Sequence, residues 1–323
     1  MNQYEDFEFL CMGTNIFQRI YGDNAKEVAK IAEFELKNFE GLMNFFVDSS
    51  EVSKLNQAAG FNEVLLSKDT YKVIKKAKEY SELCGGSFDI TIAPLVTLWS
   101  IFSKNQRVPS KLEIEGVLHL VNYKDIILND EIKSAKLPKP GQRIDLGGIA
   151  KGYAADKIIK IYKKNGVKSA FINLGGNVLT LGNKPDGSPW SIGIQNPFAK
   201  RGEFIGAIKA SNETIVTSGD YVRYFEADNA RYHHILDPRT GYPSTSGIIS
   251  ATIIGKNSMQ ADALSTAIFI LGLEKGLELI NKINSLEAIF ITSDKRVYVT
   301  QGASEKVVFI ETKDNFEHLI SLY

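Results

Sequence analysis

The sequence is poor in cysteine, with only Cys11 and Cys84 among its 323 residues. Two cysteines cannot form the disulfide framework that holds small secreted domains together. Cys11 falls in an apolar, strand-like stretch and Cys84 at the end of a helical pattern, so both are predicted to be buried thiols. A chain of this length has room instead for one large apolar core or two smaller ones.

An excess of charge of either sign is also missing, because 38 Lys and Arg residues balance 38 Asp and Glu residues. A protein that binds nucleic acid needs a basic excess to neutralise the phosphates. We therefore expect no nucleic-acid partner. The apolar and charged fractions, 44% and 24%, are those of an ordinary globular protein.

No apolar run is long enough for the core of a secretory signal or for a membrane span. Residues 1–6 carry acidic side chains where a signal peptide needs a basic region, and Phe9-Leu10-Cys11 lacks the segments that precede a lipidated cysteine. These absences predict a cytoplasmic protein without a membrane span. An exported form would require a leader that had already been removed.

The patterns that are present alternate between helix and strand in a way typical of an α+β fold. Helices are predicted at residues 25–46, after the caps Ser67 and Ser110, and at 150–164, 258–271 and 273–283. Strands are predicted at 7–20, 143–146, 168–173, 177–181, 190–195, 204–210, 213–217 and 247–255, and hairpins at 126–137, 221–236 and 286–300. The predicted fold class is α+β, with mixed and antiparallel sheets flanked by helices.

Asp262 and Thr266 stand four residues apart in the predicted helix 258–271, so their side chains share one face. A carboxylate and a hydroxyl near a helix N-terminus can hold a hard cation beside a phosphate. In the plainer alternative, Asp262 stabilises the helix N-terminus and Thr266 bonds back to its own turn. For an isolated pair of this kind the alternative is the more common case.

A glycine turn at Gly147-Gly148 leads from the predicted strand 143–146 into the predicted helix 150–164. Such a turn lets backbone amides approach phosphate oxygens at a helix N-terminus, although it matches neither common phosphate-binding motif. The turn and the Asp262 helix must meet if both serve one metal-phosphate site. We therefore expect residues 1–323 to form a single domain, with a candidate subdomain junction at the linker-like residues 136–141.

His233 and His234 are two of only four histidines, and they end a strand-like run just before Asp237-Pro238-Arg239-Thr240-Gly241. That pentapeptide favours a turn, because Pro presets φ at the second turn position and Asp can bond the backbone of the turn. Histidine is the side chain best suited to accept a proton near neutral pH, so one of the pair is a candidate general base. The alternative is a half-buried histidine bonded to a backbone carbonyl.

Together these segments resemble the ApbE family of flavin transferases, and the resemblance runs over nearly the whole chain. Other matching motifs stand in family order: Met12-Gly13-Thr14, Ser50-Glu51-Val52-Ser53-Lys54-Leu55-Asn56, Gly86-Ser87-Phe88-Asp89-Ile90-Thr91-Ile92-Ala93-Pro94-Leu95 with Trp99, Asn173-Leu174-Gly175-Gly176-Asn177 and Thr217-Ser218-Gly219-Asp220-Tyr221. The resemblance implies an ApbE-type, T-fold-like architecture. It also implies transfer of FMN from FAD to a Thr or Ser of a target flavoprotein, with release of AMP.

The same resemblance assigns roles to individual residues. Mg²⁺ would be held by Asp262, Thr266 and the carbonyl of Ala150, with Ser265 a further candidate and a second ion an open alternative. His234, directly before Ile235-Leu236-Asp237-Pro238, would be the general base. Residues expected to bind FAD are Met12, Phe46, Ser87, Phe88, Asp89, Gly147, Tyr153 and Ile235, several of them through the backbone.

Phe46 is expected to stack on the flavin ring, although an aromatic residue at a helix end more often packs into the core. Family members with a polar residue at this point resemble FAD hydrolases, so Phe46 favours transfer. Two other functions stay open: a Mg²⁺-dependent FAD pyrophosphatase that uses the same site with water as nucleophile, and an FAD-binding protein without catalysis. The combination of Asp262, Thr266 and His234 argues against the second.

Overall fold

The computed structural model describes residues 4–101 and 103–321. The α-helices in these residues are α1 (Ala25–Met43), α2 (Glu51–Gln57), α3 (Lys68–Leu83), α4 (Ala93–Trp99), α5 (Lys111–Leu118), α6 (Ala150–Lys164), α7 (Ser258–Leu271), α8 (Leu273–Asn281) and α9 (Gln301–Ser304). The strands are β1 (Tyr4–Cys11), β2 (Thr14–Tyr21), β3 (Val64–Leu65), β4 (Ile127–Asn129), β5 (Ser134–Lys136), β6 (Ala170–Leu174), β7 (Asn177–Leu181), β8 (Trp190–Gln195), β9 (Phe204–Ala210), β10 (Thr214–Gly219), β11 (Tyr224–Ala227), β12 (Ala230–His233), β13 (Ile248–Gly255), β14 (Glu287–Thr292), β15 (Arg296–Thr300), β16 (Val307–Phe309) and β17 (Glu317–Ser321).

The described residues divide into two compact units. The first contains residues 4–38, 151–219 and 247–321, and the second contains residues 39–150 and 220–246. The linker-like residues 136–141 lie inside the second unit.

A sheet of nine strands dominates the described part of the first unit, in the order β1-β2-β6-β7-β10-β13-β14-β15-β17. Its strand pairs are antiparallel except for β15 and β17, which are parallel. A second sheet, β16-β9-β8, packs its apolar residues against this large sheet through a core that includes Ile205, Ile208, Ile215 and Ile254. The α+β class with mixed and antiparallel sheets is therefore confirmed.

Helices α6 and α7 approach each other closely at Gly152 in the first unit. A Cβ atom built on Gly152 would lie 2.2 Å from the carbonyl oxygen of Ser258, the first residue of α7. Asp156, one turn further along α6, accepts hydrogen bonds from the backbone N–H groups of Ser258 and Met259 at 2.9 and 3.0 Å. The missing side chain of Gly152 thus allows the first turns of the two helices to touch.

The second unit combines helices α2 to α5 with two small sheets, β3-β5-β4 and β11-β12. Ser67 caps α3, and Ser110 with Glu113 forms the expected capping box on α5. The indole N–H of the fully buried Trp99 donates to the carbonyl of Gly241 at 2.8 Å. This bond ties α4 to the turn that follows the histidine pair.

Two of the strand predictions need correction. The predicted strand 7–20 is a hairpin of β1 and β2, because Met12 and Gly13 both adopt positive φ, 53° and 67°, and reverse the chain. The predicted strand 143–146 is wrong, since this segment joins no sheet. The Asn56 amide instead bonds both backbone groups of Ile144, donating to its carbonyl at 3.0 Å and accepting its N–H at 2.7 Å.

Most other predicted elements are present with small shifts at their ends. Helix α6 has the predicted bounds, and α1 ends at Met43 rather than at Phe46. None of the helices in residues 4–101 and 103–321 has the length and apolar character needed to cross a membrane.

We expect Gly152→Ala to lower the free energy of unfolding by about 1–3 kcal/mol, because the new methyl group would overlap backbone atoms that cannot swing aside. Gly116→Ala in α5 is the matched control, since nothing lies within 4 Å of a Cβ at that position. The control variant should gain up to about 1 kcal/mol, because alanine favours helix over glycine. Chemical denaturation of both variants measures the difference, and equal stabilities would contradict the close helix contact.

Candidate functional site

The carboxylate of Asp262 lies against the first turn of α6. Asp262 is 5% exposed, and its Oδ2 accepts a hydrogen bond from the Gly152 N–H at 2.8 Å. Its Oδ1 lies 3.7 Å from the ammonium nitrogen of Lys151. A buried carboxylate requires such partners, and a helix N-terminus favours negative charge. Asp262 therefore places a negative charge where α6 begins.

The plainer alternative for Asp262, stabilisation of its own helix, does not match the contacts. Helix α7 is capped by Asn257, whose side chain accepts the Gln260 N–H at 2.8 Å, and by Asp156, which accepts the N–H groups of Ser258 and Met259. Asp262 instead stabilises the start of α6, the neighbouring helix. Its charge thus lies at the contact between two helices, beside the first turn of each.

Three hydroxyl groups form a chain next to Asp262. Ser265 Oγ donates to the Asp262 carbonyl at 2.9 Å, and Ser218 Oγ on β10 lies 2.9 Å from Ser265 Oγ and 3.4 Å from Thr266 Oγ1. Ser265, not Thr266, therefore bonds back to its own turn. The sequence analysis used Ser218 only as part of a motif and did not predict its place beside Ser265 and Thr266, because that contact joins β10 to the distant helix α7.

The side chains of Asp262, Ser265, Thr266 and Ser218 offer oxygen atoms to a hard cation. Oxygen is the ligand type that Mg²⁺ prefers. Within residues 4–101 and 103–321 no group of three or more His, Cys, Asp and Glu side chains could hold a metal. A cation at Asp262 would thus depend on one protein carboxylate, so a phosphate or water would have to complete its shell.

Ala150 and Gly147 form the turn that begins α6. The N–H of Ala150 donates to the Leu146 carbonyl at 2.8 Å, and the N–H of Gly147 donates to Asp145 Oδ1 at 2.8 Å. The backbone N–H of Asp145 bonds the Ile90 carbonyl at 2.7 Å. The glycine turn predicted at 147–148 is present, and the Asp145 side chain and the Ile90 backbone shape it.

His234 follows β12 and is half-buried. Its Nδ1 donates to the carbonyl oxygen of Arg223 at 3.2 Å, and its backbone N–H donates to the same oxygen at 3.1 Å. A carbonyl can only accept, so Nδ1 carries the hydrogen and the basic lone pair of the ring lies on Nε2. The structure thus fixes the tautomer that a general base acting through Nε2 requires.

His233 has a different environment from its neighbour. It is buried, its Nε2 donates to the Ser244 carbonyl at 3.0 Å, and its Nδ1 accepts the Ile235 N–H at 3.3 Å. Both ring nitrogens are therefore used by the backbone. Burial lowers the pKa of His233 below its usual value, and the bond to Ser244 opposes this shift only in part. The alternative of a structural histidine describes His233.

The turn after the histidines is rigidly fixed within the second unit. Asp237 accepts from both the backbone and the guanidinium of Arg239, at 2.6–2.9 Å. Gly241 adopts a φ of +79°, and a Cβ there would lie 2.5 Å from a methyl carbon of Ile114. Together with the Trp99 bond to Gly241, these contacts hold the segment that carries His234 against α4 and α5.

Asp220 is a titratable residue that sequence reasoning did not single out. Burial raises its pKa to about 6, and the nearby charge of Arg231 opposes the shift. Asp220 follows β10 and shares the second unit with the β11–β12 hairpin. Its carboxyl group therefore changes charge close to neutral pH.

The motif residues Ser87, Phe88 and Asp89 are buried in the loop after α3. Asp89 Oδ1 accepts from the N–H and hydroxyl of Thr91 at 2.8 and 2.6 Å, and Oδ2 accepts the Tyr123 N–H at 2.8 Å. Burial raises the pKa of Asp89, against the effect of these hydrogen bonds. The carboxylate of Asp89 thus stabilises its own loop. A ligand at this motif would therefore meet backbone groups rather than the Asp89 carboxylate.

Phe46 lies in the loop between α1 and α2 and is 65% exposed. The adjacent Phe45 is 7% exposed, and the two ring centroids are 4.0 Å apart. The guanidinium of Arg143 lies 5.8 Å from the centroid of the Phe45 ring. Phe45 is therefore the core residue, and core packing does not explain Phe46.

The other predicted FAD-binding residues differ in exposure. Met12 is partly exposed in the left-handed turn between β1 and β2, whereas Tyr153 on α6 and Ile235 after β12 are buried. The ammonium of Lys157 lies 5.4 Å from the centroid of the Tyr153 ring. Ile235 bonds Ser244 and His233 through its backbone.

Each unit holds part of the predicted set. Asp262, Thr266, Met12 and Tyr153 belong to the first unit. The second unit contains His234, Ile235, Phe46, Ser87, Phe88, Asp89, Gly147 and Ala150. Within the first unit the structure brings Asp262 and Thr266 together with Ser218 and Ser265. Within the second unit it orients the ring of His234 and leaves the ring of Phe46 exposed.

Structural comparison places the chain in the class of ApbE-type proteins. The structure matches the ApbE protein of Thermotoga maritima with a TM-score of 0.84, at 33% sequence identity over 98% of this chain and 99% of that chain. The apo form of the Pseudomonas stutzeri flavinyl transferase ApbE matches with a TM-score of 0.79, at 29% identity over 97% and 96% of the two chains.

Sequence comparison gives the family itself. The model of the ApbE family matches residues 12–290. The FAD:protein FMN transferase of Klebsiella pneumoniae (strain 342) is 36% identical over 93% of this chain and 92% of its own length. That of Treponema pallidum (strain Nichols) is 32% identical over 94% and 89%. The chain belongs to the ApbE family, and the resemblance drawn from the motifs is confirmed.

The depressed pKa of His233 predicts a loss of stability in acid. The unfolded chain binds a proton near the ordinary histidine pKa of about 6.5, whereas folded His233 stays neutral to lower pH. Its contribution is therefore fully present above about pH 6.5 and is lost as the pH falls, by at most about 1.4 kcal/mol per pH unit.

His233→Gln removes this titration and keeps a donor for the Ser244 carbonyl. Denaturant melts of both chains between pH 7.5 and 5 should show a steeper acid loss in the wild type. Parallel curves would mean that His233 does not titrate differently in the folded state.

Proposed function

We propose that the chain transfers FMN from FAD to a Thr or Ser side chain of a target flavoprotein and releases AMP. Two relatives carry the name FAD:protein FMN transferase, and the chain matches 92% and 89% of their lengths. The observation that supports a catalytic role is the tautomer of His234, whose Nδ1 is bonded to the Arg223 carbonyl. The cytoplasmic location expected from the sequence stays a prediction.

In the proposed reaction the acceptor hydroxyl oxygen attacks the FMN-side phosphorus of FAD. The bond between that phosphorus and the oxygen bridging to AMP breaks, and AMP leaves with the bond electrons. The hydroxyl proton passes to Nε2 of His234, whose Nδ1–H stays on the Arg223 carbonyl. Burial and full backbone bonding make His233 unsuitable for this role.

Mg²⁺ is proposed as the cation, held by Asp262, Thr266 and the carbonyl of Ala150. When bound, it would neutralise charge that develops on the phosphoryl oxygens. The carboxylate of Asp262 and the hydroxyl groups of Ser265, Ser218 and Thr266, which lie close together, support this assignment because all are oxygen donors. Ser218 is a further candidate for the set, because its hydroxyl lies 3.4 Å from that of Thr266.

Phe46 is proposed to stack on the isoalloxazine ring of FAD. Its side chain is 65% exposed and lies beside the buried Phe45 ring, with the two centroids 4.0 Å apart, so the Phe46 ring can meet a ligand. Met12, Ser87, Phe88, Asp89, Gly147, Tyr153 and Ile235 complete the proposed FAD-binding set. For Asp89 the contact is assigned to the backbone, since three hydrogen bonds engage its carboxylate.

One incubation distinguishes this function from the two alternatives. The purified chain is mixed with FAD, Mg²⁺ and a peptide that bears an acceptor threonine. Flavin fluorescence and an FMN mass increment on the peptide indicate transfer. Free FMN in place of modified peptide indicates a pyrophosphatase, and intact FAD indicates a binding protein without catalysis.

In the same assay, His234→Ala should bind FAD but transfer FMN about 10²- to 10⁴-fold more slowly, the usual effect of removing a general base. Rates are measured from peptide fluorescence under saturating FAD. His233→Gln is the neighbouring control and should lose far less activity, because its role is structural. Near-normal turnover by the His234 variant would exclude it as the base.

Asp262 serves both the fold and the proposed cation, and two substitutions separate these roles. Asp262→Asn keeps an oxygen for the Gly152 N–H but removes the charge, so it should stay folded and lose Mg²⁺-dependent transfer. Asp262→Ala should lose transfer and also about 1–3 kcal/mol of stability, because a buried N–H loses its acceptor.

Thr266→Val, which removes only the hydroxyl, should raise the Mg²⁺ concentration needed for half-maximal rate without abolishing transfer. Thermal melts run beside Mg²⁺ titrations of the rate provide both readouts. A normal Mg²⁺ requirement in Asp262→Asn would remove Asp262 from the metal site.

A further inference from the structure

The ammonium of Lys151 faces the same carboxylate oxygen that the proposed cation would use. Lys151 Nζ lies 3.7 Å from Asp262 Oδ1, within ion-pair distance but beyond a hydrogen bond. The Lys151 side chain is 25% exposed and that of Asp262 is 6% exposed. The side chain of Lys151 is therefore partly exposed to solvent, and its ammonium group faces the buried carboxylate of Asp262.

The two oxygens of Asp262 have unequal freedom to change partners. Oδ2 accepts the Gly152 N–H at 2.8 Å, and this backbone group is fixed by α6 and by the contact of Gly152 with α7. Oδ1 faces a flexible four-carbon side chain that can swing away. A cation can therefore gain Oδ1 by displacing Lys151, without disturbing either helix.

Two positive charges cannot share this oxygen without strong repulsion. A buried carboxylate also cannot remain unpaired at low cost. Among the described residues no cluster of three or more acidic, histidine or cysteine side chains could hold the metal, so the proposed cation depends on the charge of Asp262. Lys151 and a divalent cation are thus alternative partners of one carboxylate.

We infer that Lys151 acts as a positioning residue that compensates Asp262 in the metal-free protein and competes with the divalent cation for it. When the cation binds, the displaced ammonium lies at the first turn of α6, where its charge favours the pyrophosphate of the incoming FAD. Each ligand then makes the other bind more tightly, because FAD withdraws the competitor of the metal. The inference rests on the proposed function through the role of Asp262.

The test measures metal affinity directly, with Mn²⁺ as a probe for the divalent cation. Free Mn²⁺ is followed by electron paramagnetic resonance in titrations of the full chain, first without FAD and then with saturating FAD. Chromatography after each titration checks that the FAD is intact. Wild type is compared with Lys151→Met, which keeps the stem and removes the charge, and with Lys151→Arg, which keeps the charge.

Lys160→Met is the matched control, because Lys160 lies on the exposed part of α6 and its loss changes the net charge equally. We expect Lys151→Met to bind Mn²⁺ without FAD about tenfold more tightly than wild type, a typical size for coupled binding. FAD should improve Mn²⁺ affinity less in this variant than in wild type. Lys151→Arg and Lys160→Met should both behave like wild type.

Unchanged or weaker Mn²⁺ binding by Lys151→Met without FAD would overturn the inference. Equal tightening in Lys160→Met would overturn it too, since the effect would then come from net charge alone. If no variant binds Mn²⁺ while FMN transfer continues, the metal role of Asp262 fails and the inference fails with it. The predicted Mn²⁺ pattern without any FMN transfer would support Lys151 and overturn the proposed function, so the two failures are distinguishable.

Discussion

The bond between the Asp262 carboxylate and the Gly152 N–H is the interaction on which the first-unit site depends. It exists only because position 152 has no side chain, so that α6 and α7 can touch. Asp156 repeats the arrangement in the opposite direction, since it lies on α6 and bonds the first N–H groups of α7. Each helix thus supplies an acid that stabilises the N-terminus of the other. The carboxylate of Asp262 is therefore held in place by the protein itself, before any ligand binds.

The histidine pair shows how neighbouring residues of one type are given different roles. Successive side chains of a strand point to opposite faces. His233 points into the second unit, where Ser244 and Ile235 fix both ring nitrogens and burial disfavours its charged form. His234 is half-buried, and the Arg223 carbonyl fixes one nitrogen as a donor. The first histidine bonds the backbone through both ring nitrogens, and the second bonds it through Nδ1 alone, which suits the second to the proposed role of general base.

The sequence predicted best those features that depend on local chemistry. Helix α6 has the predicted bounds because a glycine turn begins it and Asn165-Gly166 ends it, and the capping box at Ser110 is present as expected. The predicted strand at 143–146 is wrong because the backbone of Ile144 bonds the distant Asn56 side chain in place of a neighbouring strand. Periodicity also could not decide which of Phe45 and Phe46 faces the core, nor that β10 would bring Ser218 beside Thr266. Those outcomes depend on tertiary contacts that no local pattern encodes.

A site with a single carboxylate has a consequence for the order of binding. Asp262 already has two positive neighbours in the protein, the helix N-terminus through Gly152 and the ammonium of Lys151. A divalent cation alone gains little at such a carboxylate, because it must displace one partner, and the further oxygens proposed for it, those of Thr266 and Ser218, are neutral. A pyrophosphate changes this balance, since it brings negative oxygens for the cation and for the displaced ammonium. If the proposed function holds, the chain therefore binds metal and nucleotide together. Because Asp262 is the one carboxylate proposed for the metal, tight metal binding requires FAD.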